Sequence, residues 1–576
     1  MTPRVMIGLV GAGLALHAVL PWLSPGTIPA VARVALSFIV LVLLPGGAFV
    51  AMGAVPPGAP WLAPGWALGF GVAWQGTLIL VTRALGIPFT VLSTWSLAAT
   101  AILWGIVLWR ARPRSAGMER GPAPELPAWP ARSRIALAAL VLAAATGAWH
   151  AGQLGAPLGI STDSPDHVGT IRRMLAGGDA FPRDAFFRDA GAAGADPRKG
   201  LWHPQVALIA RLARVDPLEA WKQLPVCLVP LFVLNVAVFG FLLRGPPGAA
   251  VAGWAYLLTY GGSLMEQYVR EAVFATKLGD QLAMAAAAAL LADLRAPARR
   301  LRLAAIGLAL GALAAHVYYA IQFAMVFTAL GTGLLIVDRG WSGRVKRLAG
   351  TALLLGLAGL PYLAWRTAQS YAPNNVIHTE PQGLLWLLDG VPIISFGVLW
   401  DWLGNGWVLF PLAAPWLWRA GPRDPAVLFL LTTPAAVALV IFNPPVVLLL
   451  EPRIGYLLMR MIWMVPLAPL LAWMLTGLAA AAWRGPSRLG AALALAAVLA
   501  RSASTLTDAV RVLAHPDGVG DEERRHSPAL WADALEWMDA HLPAGSVVLS
   551  DPATSYSVPM YTRHYVMTLS DQHSSP

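Results

Sequence analysis

Apolar residues fall in repeated runs of about 16 to 26 along the chain, divided by short segments rich in Arg, Pro and Gly. A helix of roughly 20 apolar residues crosses a bilayer core with every backbone polar group bonded internally. The pattern predicts fifteen such helices: 5–22, 31–53, 62–83, 90–110, 134–150, 223–243, 247–263, 276–293, 303–319, 320–337, 348–365, 395–417, 425–443, 458–483 and 487–502. Pro21 and Pro25 end the first run early, and Met1-Thr2-Pro3-Arg4 carries little positive charge. The run is therefore read as a retained span and not a cleaved leader. A tight turn around Tyr318 and Tyr319 must separate the ninth and tenth runs.

Composition excludes the soluble alternatives. The 576 residues are 57% apolar and 12% charged, whereas soluble domains carry roughly 25% charged residues. Three or four soluble domains, at about 150 residues each, would lack the charge to cover their surfaces. Disorder is excluded by the apolar content. Lys and Arg number 41 against 30 Asp and Glu, a formal net charge of +11, and Lys199, Lys222, Lys277 and Lys346 are the four lysines. In a membrane chain this excess reflects arginine in cytoplasmic loops, so no nucleic-acid partner is expected. The lone Cys227 permits neither an intrachain disulfide nor a cysteine metal cluster.

Four short segments concentrate the arginines: 110–134, 295–302, 339–347 and 484–488. With fifteen spans all four fall on one side, which predicts the N-terminus inside the cytoplasmic (inner) membrane and the 503–576 tail outside. The expected fold is an all-α polytopic membrane protein with a small α/β tail. Its parts are four leading spans over 1–110, a linker over 111–133, a helical core over 134–502 and the tail. The tail reads as a helix over 529–541 and short strands over 546–549 and 565–569. One long outward loop, 151–222, holds two amphipathic stripes, Val168/Ile171/Leu175 and Val206/Ile209/Leu212, expected along the membrane surface.

Candidate chemistry gathers on the outward segments. Asp163 and Asp166 flank the start of the first stripe, beside His167. A carboxylate at a helix start caps free N–H groups, and two beside a histidine also suit general-base or metal-binding work. Spacing alone leaves these roles open. The 264–280 segment offers Glu266, Arg270, Glu271, Lys277 and Asp280. Glu266 or Glu271 would complete a divalent-ion site with Asp163 or Asp166, or would form ordinary loop ion pairs. A phosphate needs a cation, for which Arg270, Lys277 and Arg453, the last beside Glu451, are candidates. His203 and His316 lie near aromatics at span ends, as packing or as contacts, and Arg460 is read as a snorkelling side chain.

This layout resembles the GT-C superfamily of polytopic glycosyltransferases, over roughly residues 134–576. Asp166 followed by Arg172 has the acid-to-arginine spacing of the Asp-Pro-x-x-Asn-Tyr-Arg-like pattern of oligosaccharyltransferase catalytic subunits, without its Pro and Asn-Tyr. The segment from Trp537 to Leu549, then Ser550-Asp551-Pro552, resembles the start of their outer soluble domain. The resemblance implies a polyprenyl-phosphate sugar donor and an acceptor glycan, lipid or protein. It implies Asp163, Asp166 and His167 as the catalytic group and a divalent ion, magnesium or manganese, in those members that use one. A lipid-linked saccharide flippase and a non-catalytic envelope assembly protein are the alternatives. The two aspartates are expected in a polar cavity shared with 264–280 and roofed by the tail. One of Glu266, Arg270, Glu271 or Lys277 is expected within about 8 Å, close enough for a bridging water or ion. Arg172 is expected to point toward headgroups or a loop carboxylate.

Overall fold

The computed structural model describes residues 3–23, 28–110, 131–159, 162–188, 199–258, 269–368, 383–484 and 531–569, with 489, 492 and 496. The leading helices are α1 (Pro3–Val19), α2 (Ala30–Phe38) running through a π turn into α3 (Leu44–Ala51), α4 (Ala63–Ala84) and α5 (Leu92–Arg110). Then come α6 (Ala131–Leu154), the short α7 (Ser164–Gly177) and α8 (Trp202–Ala213), and α9 (Pro217–Leu258). The second half holds α10 (Ala275–Arg295), α11 (Arg299–Ala315), α12 (Tyr319–Val337) and α13 (Gly343–Thr367). A hairpin, β1 (Leu384–Leu388) and β2 (Val391–Ile394), precedes α14 (Phe396–Leu403), α15 (Leu409–Ala420), α16 (Pro425–Ile441), α17 (Pro444–Ile454) and α18 (Leu467–Arg484). The tail contributes α19 (Ala532–His541), β3 (Val547–Val548), α20 (Pro552–Tyr561) and β4 (Tyr565–Val566).

Among the described residues eight helices are long and apolar enough to cross a membrane, or nine if the bent pair α16–α17 is one span. This corrects the count of fifteen, and the reasons are local. One expected division is kept: the runs 223–243 and 247–263 are separate legs, counted together above as α9, which breaks where Gly245 takes φ +63° and ψ −154°. The legs fold back so closely that a Cβ on Gly248 would stand 2.3 Å from the Gly240 carbonyl oxygen. Only glycine permits that approach. The run 276–293 is α10, kept from the count by Lys277, Asp280, Asp293 and Arg295, and α11 has only 17 residues. The run 395–417 is divided into α14 and α15 by a 3-10 turn at Gly404–Val408. The separation at Tyr318 is as expected: α11 ends at Ala315 and α12 begins at Tyr319. Most of 487–502 lies outside the described residues.

Three of the four arginine segments have described contacts, and these gather at one end of the bundle. Arg295 bonds the Asp424 carboxylate and the Leu242 carbonyl, each at 2.7 Å. Arg302 and Arg347 reach the buried Asp293 at 3.6 and 3.9 Å, and Arg344 donates to Asp338 and to the Arg423 carbonyl. Arg110 touches Met52, and Gly53 lies against Arg300. From this end the first leg of α9 runs back to Lys222, whose backbone bonds Ala156 at the far end of α6. The 151–222 segment therefore begins opposite the arginine end.

The tail is a small β-containing extension, with β3 and β4 paired in parallel. Its helix and both strands fall where the sequence places them, and α20 is additional. Asp551 accepts from the Ala553 and Thr554 N–H groups at 3.0 Å each, capping α20 ahead of Pro552. The extension docks on α7. Arg173, buried, donates to the Ala185, Arg563 and His564 carbonyls and faces the Tyr565 ring at 3.4 Å. Phe186 stacks on Tyr556 at 5.5 Å within a separate apolar cluster.

Candidate functional site

Pro165 sets the first turn of α7, and Asp163 occupies the position before it without capping it through its side chain. Asp163 is exposed, while Asp166, one turn on, is half-buried and faces inward. Thr170 donates to one Asp166 oxygen at 3.4 Å, and the Lys199 ammonium donates to the other. Lys199 Nζ also stands 3.2 Å from His167 Nδ1, which is 2.7 Å from His203 Nε2. His167 lies between aromatic walls: His203 stacked at 4.9 Å, Trp221 stacked at 5.2 Å and Phe274 edge-on at 4.9 Å. The result is a carboxylate–ammonium–imidazole–imidazole chain backed by apolar rings.

Lys199 is held by its own backbone. Arg366 donates to its carbonyl at 3.0 Å, and Leu201 N–H bonds the Ala314 carbonyl at 2.6 Å. A Cβ on the intervening Gly200 would stand 2.1 Å from the Ala315 oxygen, so this seating requires glycine. The tail supplies the roof. The Tyr556 hydroxyl donates to the Thr162 carbonyl at 3.2 Å. Burial first, then the negative charges of Asp163 and Asp166, push the Tyr556 phenol well above its ordinary value. Tyr556 thus brings the tail over the start of α7, where Asp163 is exposed and Asp166 half-buried. Arg172 forms a two-pronged bond to Asp216 at 2.8 Å per contact and donates to the Met560 carbonyl, a loop carboxylate as anticipated.

The 264–280 segment reaches the cluster through its backbone and Phe274. Trp202 Nε1 donates to the Val273 carbonyl at 2.6 Å, and Phe274 precedes α10. Glu266 lies outside the described residues. Glu271 pairs with Lys277 at 3.7 Å, and Lys277 is 4.4 Å from the Trp463 ring centroid, with Arg460 at 5.0 Å from the same ring. Arg270 is buried near His150. Arg453 is exposed and donates to the Leu449 carbonyl of its own helix, and Glu451 is half-buried on that helix. His316 accepts from Tyr318 N–H at 3.1 Å, shaping the turn between α11 and α12.

The structure thus joins Asp166, His167 and His203 and places Lys277 in the first turn of the adjoining helix. Sequence reasoning missed Lys199 and gave Arg460 no role. The scarcity of lysine was a usable signal, since Lys199 and Lys277 are two of only four. Among the described residues no three His, Cys, Asp or Glu side chains stand together as metal ligands. Asp166 and Glu271 each have a lysine partner instead. Asp280 and Gln322 border an apolar cavity with Met284, Ala287, Phe323 and Met464.

No family model matches the sequence, and no curated protein matches it by sequence. Solved structures do. The oligosaccharyltransferase of Archaeoglobus fulgidus tethered with an acceptor peptide containing the NVT sequon superposes with a TM-score of 0.50 at 11% identity, over 76% of this chain and 64% of that one. The same enzyme with an inhibitory peptide and a dolichol-phosphate gives 0.49 at 11% identity, over 77% and 65%. ArnT from Cupriavidus metallidurans bound to undecaprenyl phosphate gives 0.44 at 15% identity, over 76% and 85%. The chain spans under two thirds of the length of the archaeal enzyme. With eight or nine helices able to cross a membrane among the described residues, the superposition at 0.50 shows that this is a multi-pass membrane protein sharing the fold of that archaeal enzyme over three quarters of its length.

Proposed function

We propose that the chain transfers a sugar from a polyprenyl-phosphate-linked donor to an acceptor glycan, lipid or protein, on the extracytoplasmic face of the cytoplasmic membrane. The N-terminus would lie inside and the tail outside, since the arginine end is the cytoplasmic one. The observation that carries the reading is the Asp166–Lys199–His167–His203 cluster on the far end of a membrane bundle. An acceptor hydroxyl gives its proton to Asp166 as its oxygen bonds the anomeric carbon. The anomeric carbon–phosphate oxygen bond breaks, and the lipid phosphate leaves with the electron pair. Lys199 holds the Asp166 carboxylate in place, and Thr170 supports its second oxygen.

Negative charge on the leaving phosphate grows toward the transition state, and cations aimed at it accelerate the step. Lys277 and Arg460, on opposite elements around Trp463, suit that task. The cavity beginning at Asp280, one turn beyond Lys277, is lined by apolar side chains whose chemistry suits an isoprenoid tail. A magnesium or manganese ion belongs to the same proposal through Glu266 or Glu271 with Asp163 or Asp166, and calorimetric titration with Mn²⁺ tests it. The activity test uses the full chain in proteoliposomes with a radiolabelled polyprenyl-phosphate sugar. Transfer should appear as a new glycosidic bond and fall by about 10²-fold or more in Asp166→Asn, as for loss of a general base. Passage of label across the bilayer without a new bond would overturn the reading in favour of transport.

A further inference from the structure

The hairpin of β1 and β2 is built unlike a loop exposed to water. Its strands read Leu384-Leu385-Trp386-Leu387-Leu388 and Val391-Pro392-Ile393-Ile394, with one charge, Asp389, in the turn. Gly390 takes φ +75° there, and the register pairs Leu384 with Ile394 and Leu388 with Val391. β2 is buried against α17, with Ile394 1% exposed. β1 is the outer strand, and Trp386 and Leu388 are 54% and 72% exposed. An uncharged apolar edge strand left in water is a site of aggregation, which natural proteins blunt with charge or cover. Nothing among the described residues covers this one.

The surroundings identify the cover. α17 is bent 81° from the membrane helix α16, so the two do not form one straight crossing. Leu448 and Leu449 on α17 are exposed, as are Phe396 and Trp400 on α14. Phe396 stacks on Phe442, at the end of α16, at 4.8 Å. The hairpin therefore leads directly into apolar, exposed helices that pack on the end of a membrane helix. Gly383 at its root lies against Met459, next to Arg460, which places the hairpin at the Lys277–Arg460 end. Tryptophan and a strand edge with hydratable backbone both suit the headgroup–acyl boundary, where water still reaches polar groups.

We infer that the 384–394 hairpin is a membrane-surface element, with β1 immersed at the headgroup–acyl boundary of the leaflet on the Asp166 side and Asp389 directed to water. The inference stands on the membrane fold and does not depend on sugar transfer. Single cysteines at Leu385, Leu387, Leu388 and Asp389, in a Cys227→Ser background, take a nitroxide label in the full chain. The labelled protein is reconstituted in phosphatidylethanolamine/phosphatidylglycerol vesicles. Labels at 385, 387 and 388 should collide several-fold more with oxygen than with a water-soluble nickel complex, like a lipid-facing control at Leu353 on α13. The label at 389 should favour nickel several-fold.

Nickel access at 385, 387 and 388 equal to that of a tail control at Trp537 would overturn the inference. Shielding of those labels from both reagents would overturn it too, because the cover would then be protein. The unmodified chain gives an independent check that needs no cysteine variant. A phosphatidylcholine carrying a diazirine in its acyl chain should label the 384–394 peptide as strongly as the lipid-facing part of α13, and absence of label would overturn the inference.

Discussion

Lys199 lies 33 residues beyond Asp166 in sequence and touches it in space. No spacing rule connects the two, because Lys199 is seated by its neighbour Gly200, which packs on the backbone at the end of α11. Asp166, His167 and His203 were legible as residue types beside amphipathic stripes. Their lysine partner was not, since a lysine between Pro197 and Gly200 looks like any solvated loop charge. Replacing Lys199 with Met should lower transfer by about 10- to 100-fold with the fold intact, and Lys199→Arg should restore part of it. A radiolabel assay beside size-exclusion profiles checks this, and full activity in the Met variant would remove Lys199 from the site. Arg173 is a structural counterpart. Its truncation to Ala strands three carbonyls and should destabilise the docked tail by about 2–5 kcal/mol, since hydrogen bonds to charged groups are the stronger kind. Limited proteolysis should then cut residues 531–569 selectively, and wild-type resistance would contradict it.

Elements formed where apolar runs were long and ended in proline or arginine, and departed where the pattern was ambiguous. Asp551-Pro552 reads equally as a turn after a strand or as a cap and first residue of a helix, and the structure takes the second. Asp389-Gly390 between apolar runs is a strong hairpin signal, and the span pattern around it concealed it. The α9 fold-back was visible in Gly245-Pro246-Pro247, but the close contact needs Gly240 and Gly248 together. Gly248→Val should prevent that contact, giving aggregated protein on detergent extraction, and a monodisperse, active variant would refute the packing. Between α12 and α13, hydrogen bonding from Arg344 first, aided by Ser342 and opposed by burial, holds the Asp338 carboxyl below its ordinary value. A depressed carboxyl stabilises above the unfolded value and loses that contribution as pH falls through the folded one. The melting-temperature gap between wild type and Asp338→Asn should hold from roughly pH 8 to 5 and narrow below about pH 4. A gap unchanged at lower pH would show that the ion pair contributes nothing.

For the whole molecule, apolar periodicity sufficed for the membrane class, and clustered arginine sufficed to place the polar loops at opposite ends. The number of crossings was not legible, because helices carrying Lys277, Asp280 and Asp293, or broken at Gly404, fall between a span and a buried core helix. The two polar clusters, Asp166 with Lys199 and Lys277 with Arg460, are tied only through the start of α10, where Phe274 packs edge-on against His167 and Lys277 follows three residues later beside Trp463. The central claim is that these clusters form one site, the first for the reacting hydroxyl and the second for the lipid phosphate. Native mass spectrometry of the purified full chain with undecaprenyl phosphate tests it most directly. Wild type and Asp166→Asn should each retain one bound lipid, while Lys277→Met with Arg460→Met should weaken retention by about tenfold or more, as expected for lost charge-assisted contacts. Equal retention by wild type and the double variant, or no retention by wild type, would contradict the account.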